Sequence, residues 1–166
     1  MTRVLLPLLA LSATTLMPLA HAQGIQRYAI PGSDFPISAA VEVPPGHALV
    51  LLSGKTPPVA NPSAPKGGVA VYGDMETQTI GVLKRIEEQL RGMHLGLGDV
   101  VQMRAYLVGD PDHGGAMDFD GFMRGYTKFF GAKAPTKELP ARTAVKIAGL
   151  AVPGMLVEIE VMAVRP

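Results

Sequence analysis

The spacing of apolar residues predicts two helices in this chain. In residues 75–92, apolar side chains recur at helical spacing, and Asp74 stands where a helix N-cap is expected. A second helix is predicted over residues 118–130. Its apolar face is rich in aromatic side chains, which we interpret as core packing rather than as a cofactor site.

Shorter apolar runs predict strands over residues 26–30, 37–43, 47–53, 100–108, 142–148 and 155–164. The first of these is a short edge strand. The second and third flank Pro44-Pro45-Gly46, a turn that predicts a hairpin. The main elements then follow the order ββαβαββ, which predicts one α+β domain with both helices on one face of a sheet.

The last predicted strand shows the clearest alternation in the chain. It places Glu158 and Glu160 on one face and large apolar residues on the other. Two helices cover one face of such a sheet, and the chain supplies no second layer for the opposite face. We therefore expect that face to be buried by oligomerisation.

The N-terminal residues have the pattern of a secretory signal peptide of the bacterial kind. Arg3 precedes apolar stretches, and Ala20-His21-Ala22 forms an A-x-A cleavage site. This predicts a signal peptide over 1–22, a mature domain over 23–166, and a periplasmic or secreted protein. The alternative is an uncleaved membrane anchor, against which the cleavage site argues.

Charge and cysteine content narrow the possible partners. Removing residues 1–22 removes Arg3 and no acidic residue, which leaves 14 basic and 14 acidic residues and a net charge of zero. That balance argues against nucleic acid or an anionic membrane as the main partner, since both need a basic surface. The chain has no cysteine, and its histidines lack the spacing of metal ligands, so we expect no metal site.

Arg142 is the first candidate for binding chemistry. It follows Pro140 at the start of a predicted strand, where we expect it at a sheet edge. A guanidinium fork binds a carboxylate through two parallel hydrogen bonds. Glu158, sixteen residues later, is expected within reach of the same pocket, where it would hold or activate water. From the residues alone, each side chain could equally be structural.

Several motifs occur together in a characteristic order and resemble those of one protein family. The motifs are Leu52-Ser53-Gly54-Lys55-Thr56-Pro57, Gly96-Leu97-Gly98-Asp99-Val100-Val101, Asp118-Phe119, Tyr126-Thr127-Lys128-Phe129-Phe130-Gly131, Pro140-Ala141-Arg142-Thr143-Ala144-Val145 and the final strand from Val157 to Val164. This combination resembles the reactive-intermediate deaminase family (Rid, also called YjgF), and the similarity spans nearly all of the mature chain.

The resemblance implies a chorismate-mutase-like fold that assembles into a homotrimeric barrel with pockets at subunit clefts. Active members hydrolyse 2-imino acids and their enamine tautomers to 2-keto acids and ammonia without a cofactor. By this resemblance Arg142 would hold the substrate carboxylate, and backbone groups near Ala144 would hold the imine side. Ser53 and Gly54 would line the substrate site, and Glu158 would activate the attacking water.

The sequence departs from the family pattern at three positions near the expected site. Ile37 stands where the family often has Tyr, Ala144 where it often has Cys, and Met123 where it often has Asn. A long loop over 54–73 would reshape the rim. Two alternatives therefore stay open: a non-catalytic module on the same trimer that binds a small carboxylate, and a protein-interaction or chaperone-like role for an apolar surface.

Overall fold

A computed structural model describes residues 24–166, so the predicted signal peptide over 1–22 lies outside the described residues. The elements in chain order are β1 Gln26–Ala29, β2 Ser38–Glu42, β3 Ala48–Lys55, α1 Met75–Gly92, β4 Val100–Val108, α2 Phe119–Tyr126, β5 Ala141–Ile147 and β6 Val157–Arg165. Each predicted strand and helix is present. Helix α2 is shorter than predicted, because the chain beyond Tyr126 continues in tighter turns whose N–H groups bond three residues back.

The strands form a six-stranded mixed sheet in the order β1-β2-β5-β4-β6-β3. Strand β4 pairs in parallel with β5 and antiparallel with β6. The predicted hairpin is wrong, since β2 pairs with β1 and β5 while β3 pairs with β6 at the far edge. The Pro-Pro-Gly turn therefore connects strands that are not neighbours, because β3 gains a longer partner in β6 than β2 would offer.

Both helices pack on one face of the sheet, as predicted. The Asp74 side chain caps α1 by accepting a hydrogen bond from the Thr77 backbone N at 2.8 Å. The fully buried side chains between helices and sheet include Leu83, Ile86, Leu90, Met103, Leu107, Phe122, Tyr126 and Ile159. Each such side chain contributes about 1.5–3 kcal/mol by leaving water, so this layer is the main source of stability.

The opposite side of the sheet, which we call the open face, carries exposed apolar side chains. Leu51 is 70% exposed, Leu49 is 50% exposed and Val145 is 42% exposed. Polar contacts lie between them: Tyr106 Oη donates to Glu160 Oε2 at 3.2 Å. No helix within residues 24–166 is long and apolar enough to cross a membrane.

The loop over 54–73 is partly packed rather than wholly exposed. Its later part forms a short turn at Val69–Val71, and Val71 and Tyr72 are buried. The Val71 carbonyl accepts hydrogen bonds from the backbone N–H groups of Ala60 and Asn61, both at 2.9 Å. These contacts fold the loop back on itself beside the first turn of α1.

Candidate functional site

Arg142 is the second residue of β5, and the neighbouring strand fixes its approach. Ser38 donates from its backbone N to the Pro140 carbonyl at 2.9 Å and from its hydroxyl to the Leu139 carbonyl at 2.6 Å. Beyond the pair Ser38–Ala141, this edge of β5 has no strand partner in the part of the chain that the structure describes. Because β2 pairs with β5 only at Ala141, Arg142 lies on an edge without a strand partner, although β5 is an interior strand of the sheet.

The Arg142 guanidinium lies in an aromatic cage, which we define as Phe35, Phe122 and Tyr126. Its central carbon is 4.2 Å from the ring centroid of Tyr126, 5.1 Å from that of Phe122 and 5.4 Å from that of Phe35. Such cation–π contacts stabilise a guanidinium that has lost water. On the remaining side, Arg142 Nη2 donates to Met123 Sδ at 3.2 Å.

The other terminal nitrogen of this guanidinium has no partner. Arg142 Nη1 is buried without a hydrogen-bond acceptor, and it is the one such side-chain atom found in residues 24–166. No carboxylate within that range forms an ion pair with Arg142. A buried donor on a charged group without an acceptor is costly, so the cage presents an unsatisfied cation suited to an anionic ligand.

Helix α2 holds the cage in place. It begins at an N-cap in which the Asp118 side chain accepts a hydrogen bond from Gly121 N at 2.8 Å. Gly125 allows α2 to approach α1 closely, because a Cβ at this position would meet the Thr79 side chain at 2.7 Å. At the end of the helix, Tyr126 Oη donates to the Pro36 carbonyl at 2.8 Å, which ties the ring to the segment before β2.

Burial sets the electrostatics of the cage. Burial lowers the pKa of the Arg142 guanidinium, although an arginine keeps its charge near neutral pH. Burial also raises the pKa of the Tyr126 hydroxyl well above its usual range, against the opposing effect of Arg142. Tyr126 is therefore a neutral donor at physiological pH, and the guanidinium is the charged group of the cage.

Glu158 lies on the open face, beside the end of β3. It is opposite Tyr106 on β4, and its carboxylate lies against the main chain of Gly54, where any Cβ would overlap it. The pairing of β3 with β6 shifts register between Leu52 and Lys55, which places Ser53 and Gly54 at this irregularity. The structure thus brings Glu158, Ser53 and Gly54 together, as one half of the predicted site.

Within one protomer, the structure does not bring Arg142 and Glu158 together. Arg142 is opposite Met103 on β4 and faces the helices, whereas Glu158 is opposite Tyr106 and faces away from them. Ala144 shares the face of Arg142 and packs against the core. One chain alone therefore does not place Arg142 and Glu158 in one pocket, because Met103 and Tyr106 are an odd number of residues apart on β4 and point to opposite faces.

Sequence reasoning missed part of the cage. Phe35 lies in the loop before β2, and a single aromatic residue in a loop gives no periodic signal. The aromatic face of α2, predicted to pack in the core, includes Phe122 and Tyr126, which are buried and also contact the guanidinium. Met123, noted as a departure from the family pattern, contacts Arg142 directly.

The described residues offer no cluster of metal-binding side chains. Within residues 24–166, no group of three or more His, Cys, Asp or Glu side chains is placed to hold a metal ion. Glu160, the other acid on β6, is held by Tyr106 and lies 3.7 Å from Arg104 Nη1. Glu158 has no side-chain hydrogen bond or ion pair within the same range, so its carboxylate stays available.

Known proteins with similar sequences support the resemblance drawn from the motifs. The profile of the family described as Endoribonuclease L-PSP matches residues 31–165. AldR of Lactococcus lactis subsp. lactis (strain IL1403), a protein named for an assumed regulatory role, is 37% identical over 117 residues. That alignment covers 70% of this chain and 79% of AldR.

Solved structures share the fold. The YjgF gene product of E. coli is 26% identical with a TM-score of 0.54, over 84% of this chain and 94% of that one. The yeast protein YEO7 is 25% identical with a TM-score of 0.53, over 86% and 99%. YyfB from Yersinia pestis, a Rid-family protein of unknown function, is 24% identical with a TM-score of 0.57, over 85% and 98%. The predicted chorismate-mutase-like α+β fold is confirmed, and this chain belongs to the Endoribonuclease L-PSP family, also called YjgF or Rid.

Proposed function

We propose that this protein hydrolyses 2-imino acids and their enamine tautomers to 2-keto acids and ammonia. The observation that carries the proposal is the buried Arg142 guanidinium, whose Nη1 has no acceptor in residues 24–166. A 2-imino acid carries a carboxylate of the right charge and geometry for this fork. An apolar cage around the cation would also strengthen the interaction by excluding water.

In the proposed reaction, a water molecule adds to the C=N carbon of the bound substrate. Glu158 accepts a proton from that water and passes it to the imine nitrogen, which gives a carbinolamine. Glu158 then moves the hydroxyl proton of the carbinolamine to the same nitrogen, the C–N bond breaks, and ammonia and the keto acid leave. Backbone groups near Ala144 hold the nitrogen side of the substrate. The free outer edge of β5 beyond Ala141 supports this role, since its amide and carbonyl groups are not used by a strand within the described chain.

We propose that the complete site forms between copies of the chain in a homotrimer. Arg142 and Glu158 face opposite sides of the sheet within one protomer. A neighbour packed on the open face would cover Leu51 and Leu49 and would bring its own cage toward Glu158. Each site would then combine the cage of one copy with Glu158, Ser53 and Gly54 of the next.

A second candidate function is binding of a small carboxylate without catalysis. The observation that favours it is the contact between Arg142 and the Met123 thioether, an acceptor too weak to orient a polar substrate group. In this alternative the cage holds its ligand on the same trimer, and Glu158 does no chemistry.

The two candidates are separated by following the loss of 2-iminobutanoate or 2-iminopropanoate with four proteins. These are wild type, Arg142→Ala, Glu158→Gln and Glu160→Gln, beside a sample without protein. We expect Glu158→Gln to lower turnover by about 10²-fold or more, and Glu160→Gln, a matched acid on the same strand, to stay near wild type. Equal rates in all samples would reject the enzyme, and Arg142-dependent binding of 2-oxobutanoate by an inactive wild type would favour the binding module.

We also propose that the protein is exported to the periplasm or secreted after cleavage between Ala22 and Gln23. The A-x-A site supports this proposal. N-terminal sequencing of protein from the periplasmic fraction should begin at Gln23. A mature protein that retains Met1 in the cytoplasm would contradict it.

A further inference from the structure

Met123 holds an unusual place beside the Arg142 guanidinium. Its sulfur accepts the hydrogen bond from Nη2 at 3.2 Å, while Nη1 stays without an acceptor. A thioether is a weak acceptor, so this contact satisfies the cation poorly. A stronger acceptor at the same position would bind the guanidinium far better.

Solvent reaches Met123 more readily than it reaches the core methionines. Met123 lies on α2 and is partly buried, whereas Met75 and Met103 are fully buried. Thioethers with access to solvent are the ones that oxidants convert to sulfoxides. Met123 therefore combines access with direct contact to the proposed ligand anchor.

We propose that oxidation of Met123 to methionine sulfoxide switches off the anion site at Arg142. The oxidant is a hydroperoxide: its O–O bond breaks, one oxygen bonds to sulfur, and the sulfur loses two electrons. The peroxide is reduced to water or to an alcohol. The inference rests on the proposed function in one respect, since it takes Arg142 as the carboxylate anchor.

The switch works by competition for the same cation. A sulfoxide oxygen is a strong, negatively polarised acceptor on a flexible side chain. With a small shift of the Met123 side chain, this oxygen takes the place of the sulfur and accepts from the guanidinium. The hydrogen-bonding capacity that Arg142 would offer to a ligand carboxylate is then used within the protein.

The test treats the mature protein with hydrogen peroxide, locates sulfoxides by peptide mass spectrometry and measures binding of 2-oxobutanoate by calorimetry. We expect oxidised wild type to bind about tenfold more weakly or worse, because it loses a charge-assisted contact. Methionine sulfoxide reductase should restore the affinity.

Two variants locate the effect. The affinity of Met123→Leu, whatever its starting value, should not change on peroxide treatment. Met162→Leu removes a partly buried methionine on the open face and should stay as sensitive as wild type. Unchanged affinity in wild type with Met123 fully oxidised would overturn the inference, and so would equal loss in Met123→Leu.

A ligand-free readout separates this inference from the proposed function. In ¹⁵N spectra of arginine side chains, oxidation of Met123 should shift the Arg142 signal, which is assigned by its absence in Arg142→Lys. If untreated protein does not bind 2-oxobutanoate, the proposed function fails. The spectrum still shows whether oxidised Met123 contacts the Arg142 guanidinium. No shift on complete oxidation of Met123 would contradict the inference.

Discussion

The two faces of the sheet carry the two halves of the proposed chemistry under opposite conditions. On the helix side, Arg142 is charged, buried and short of acceptors inside an aromatic cage. On the open face, Glu158 is partly buried, lies against Gly54 and has no polar partner among the described side chains. The helix side supplies a cation suited to an anionic ligand, and the open face supplies a carboxylate that can accept a proton. A single protomer therefore holds both groups but does not bring them together.

The largest effect is expected from a charge placed on the open face. Leu51→Glu puts a carboxylate on a side chain that is 70% exposed in the protomer and that the proposed trimer would bury. Because burying an unpaired carboxylate costs several kcal/mol, we expect a monomer and loss of all imine hydrolysis. Light scattering and the activity assay measure the two effects.

The matched control is Val59→Glu, an exposed apolar residue in the loop after β3 and away from the open face. This variant should remain a trimer and keep its activity. A trimeric, active Leu51→Glu protein would contradict the proposed trimer, since the open face would then have no role in assembly.

An intermediate effect is expected at Gly54. A Cβ in Gly54→Ala would overlap the Glu158 carboxylate and force it to move. A displaced general base should lower turnover by about tenfold, and KM should change less than in Arg142→Ala, because the carboxylate anchor lies on the other face. Gly98→Ala is the control, since its Cβ would meet Glu138 at an ordinary 3.5 Å. Unchanged turnover in Gly54→Ala would argue against Glu158 as the general base.

The smallest effect concerns stability on the helix side. Arg142→Met replaces a buried cation that lacks an acceptor with an apolar side chain of similar length. Since the unpaired Nη1 costs free energy in the fold, we expect the free energy of unfolding to stay within about 1 kcal/mol of wild type or to rise. Urea unfolding of the ligand-free protein measures it. A loss of several kcal/mol would mean that Arg142 is a structural residue.

Local features of the fold were predictable from the sequence, whereas strand order was not. Asp74 and the apolar stripe after it define α1 because capping and helical spacing act within a few residues. The pairing of β3 with β6 joins strands far apart in sequence, and the turn at Pro44-Pro45-Gly46 carried no information about it. The hairpin prediction was wrong because it rested on a local turn, whereas the pairing of β3 is determined by β6, which is distant in sequence.

The sequence suggested which residues form the candidate site but not how they are arranged. Arg142, Ala144, Ser53, Gly54 and Glu158 followed from residue chemistry and family motifs. Their division between two faces follows from the register against β4, where Arg142 meets Met103 and Glu158 meets Tyr106. Residues an odd number of positions apart on a strand point to opposite faces. No pattern in a single sequence shows which residues of β4 lie opposite Arg142 and Glu158.

The claim that each site forms between two copies of the chain is tested most directly by mixing two inactive variants. Arg142→Ala keeps Glu158, and Glu158→Gln keeps Arg142, so neither homotrimer has a complete site. After joint unfolding and refolding at equal concentrations, roughly a quarter of the sites should combine an intact cage with an intact Glu158 from a neighbour. Imine hydrolysis should then return to about that fraction of the wild-type rate. Mixed trimers that form and remain inactive would contradict it.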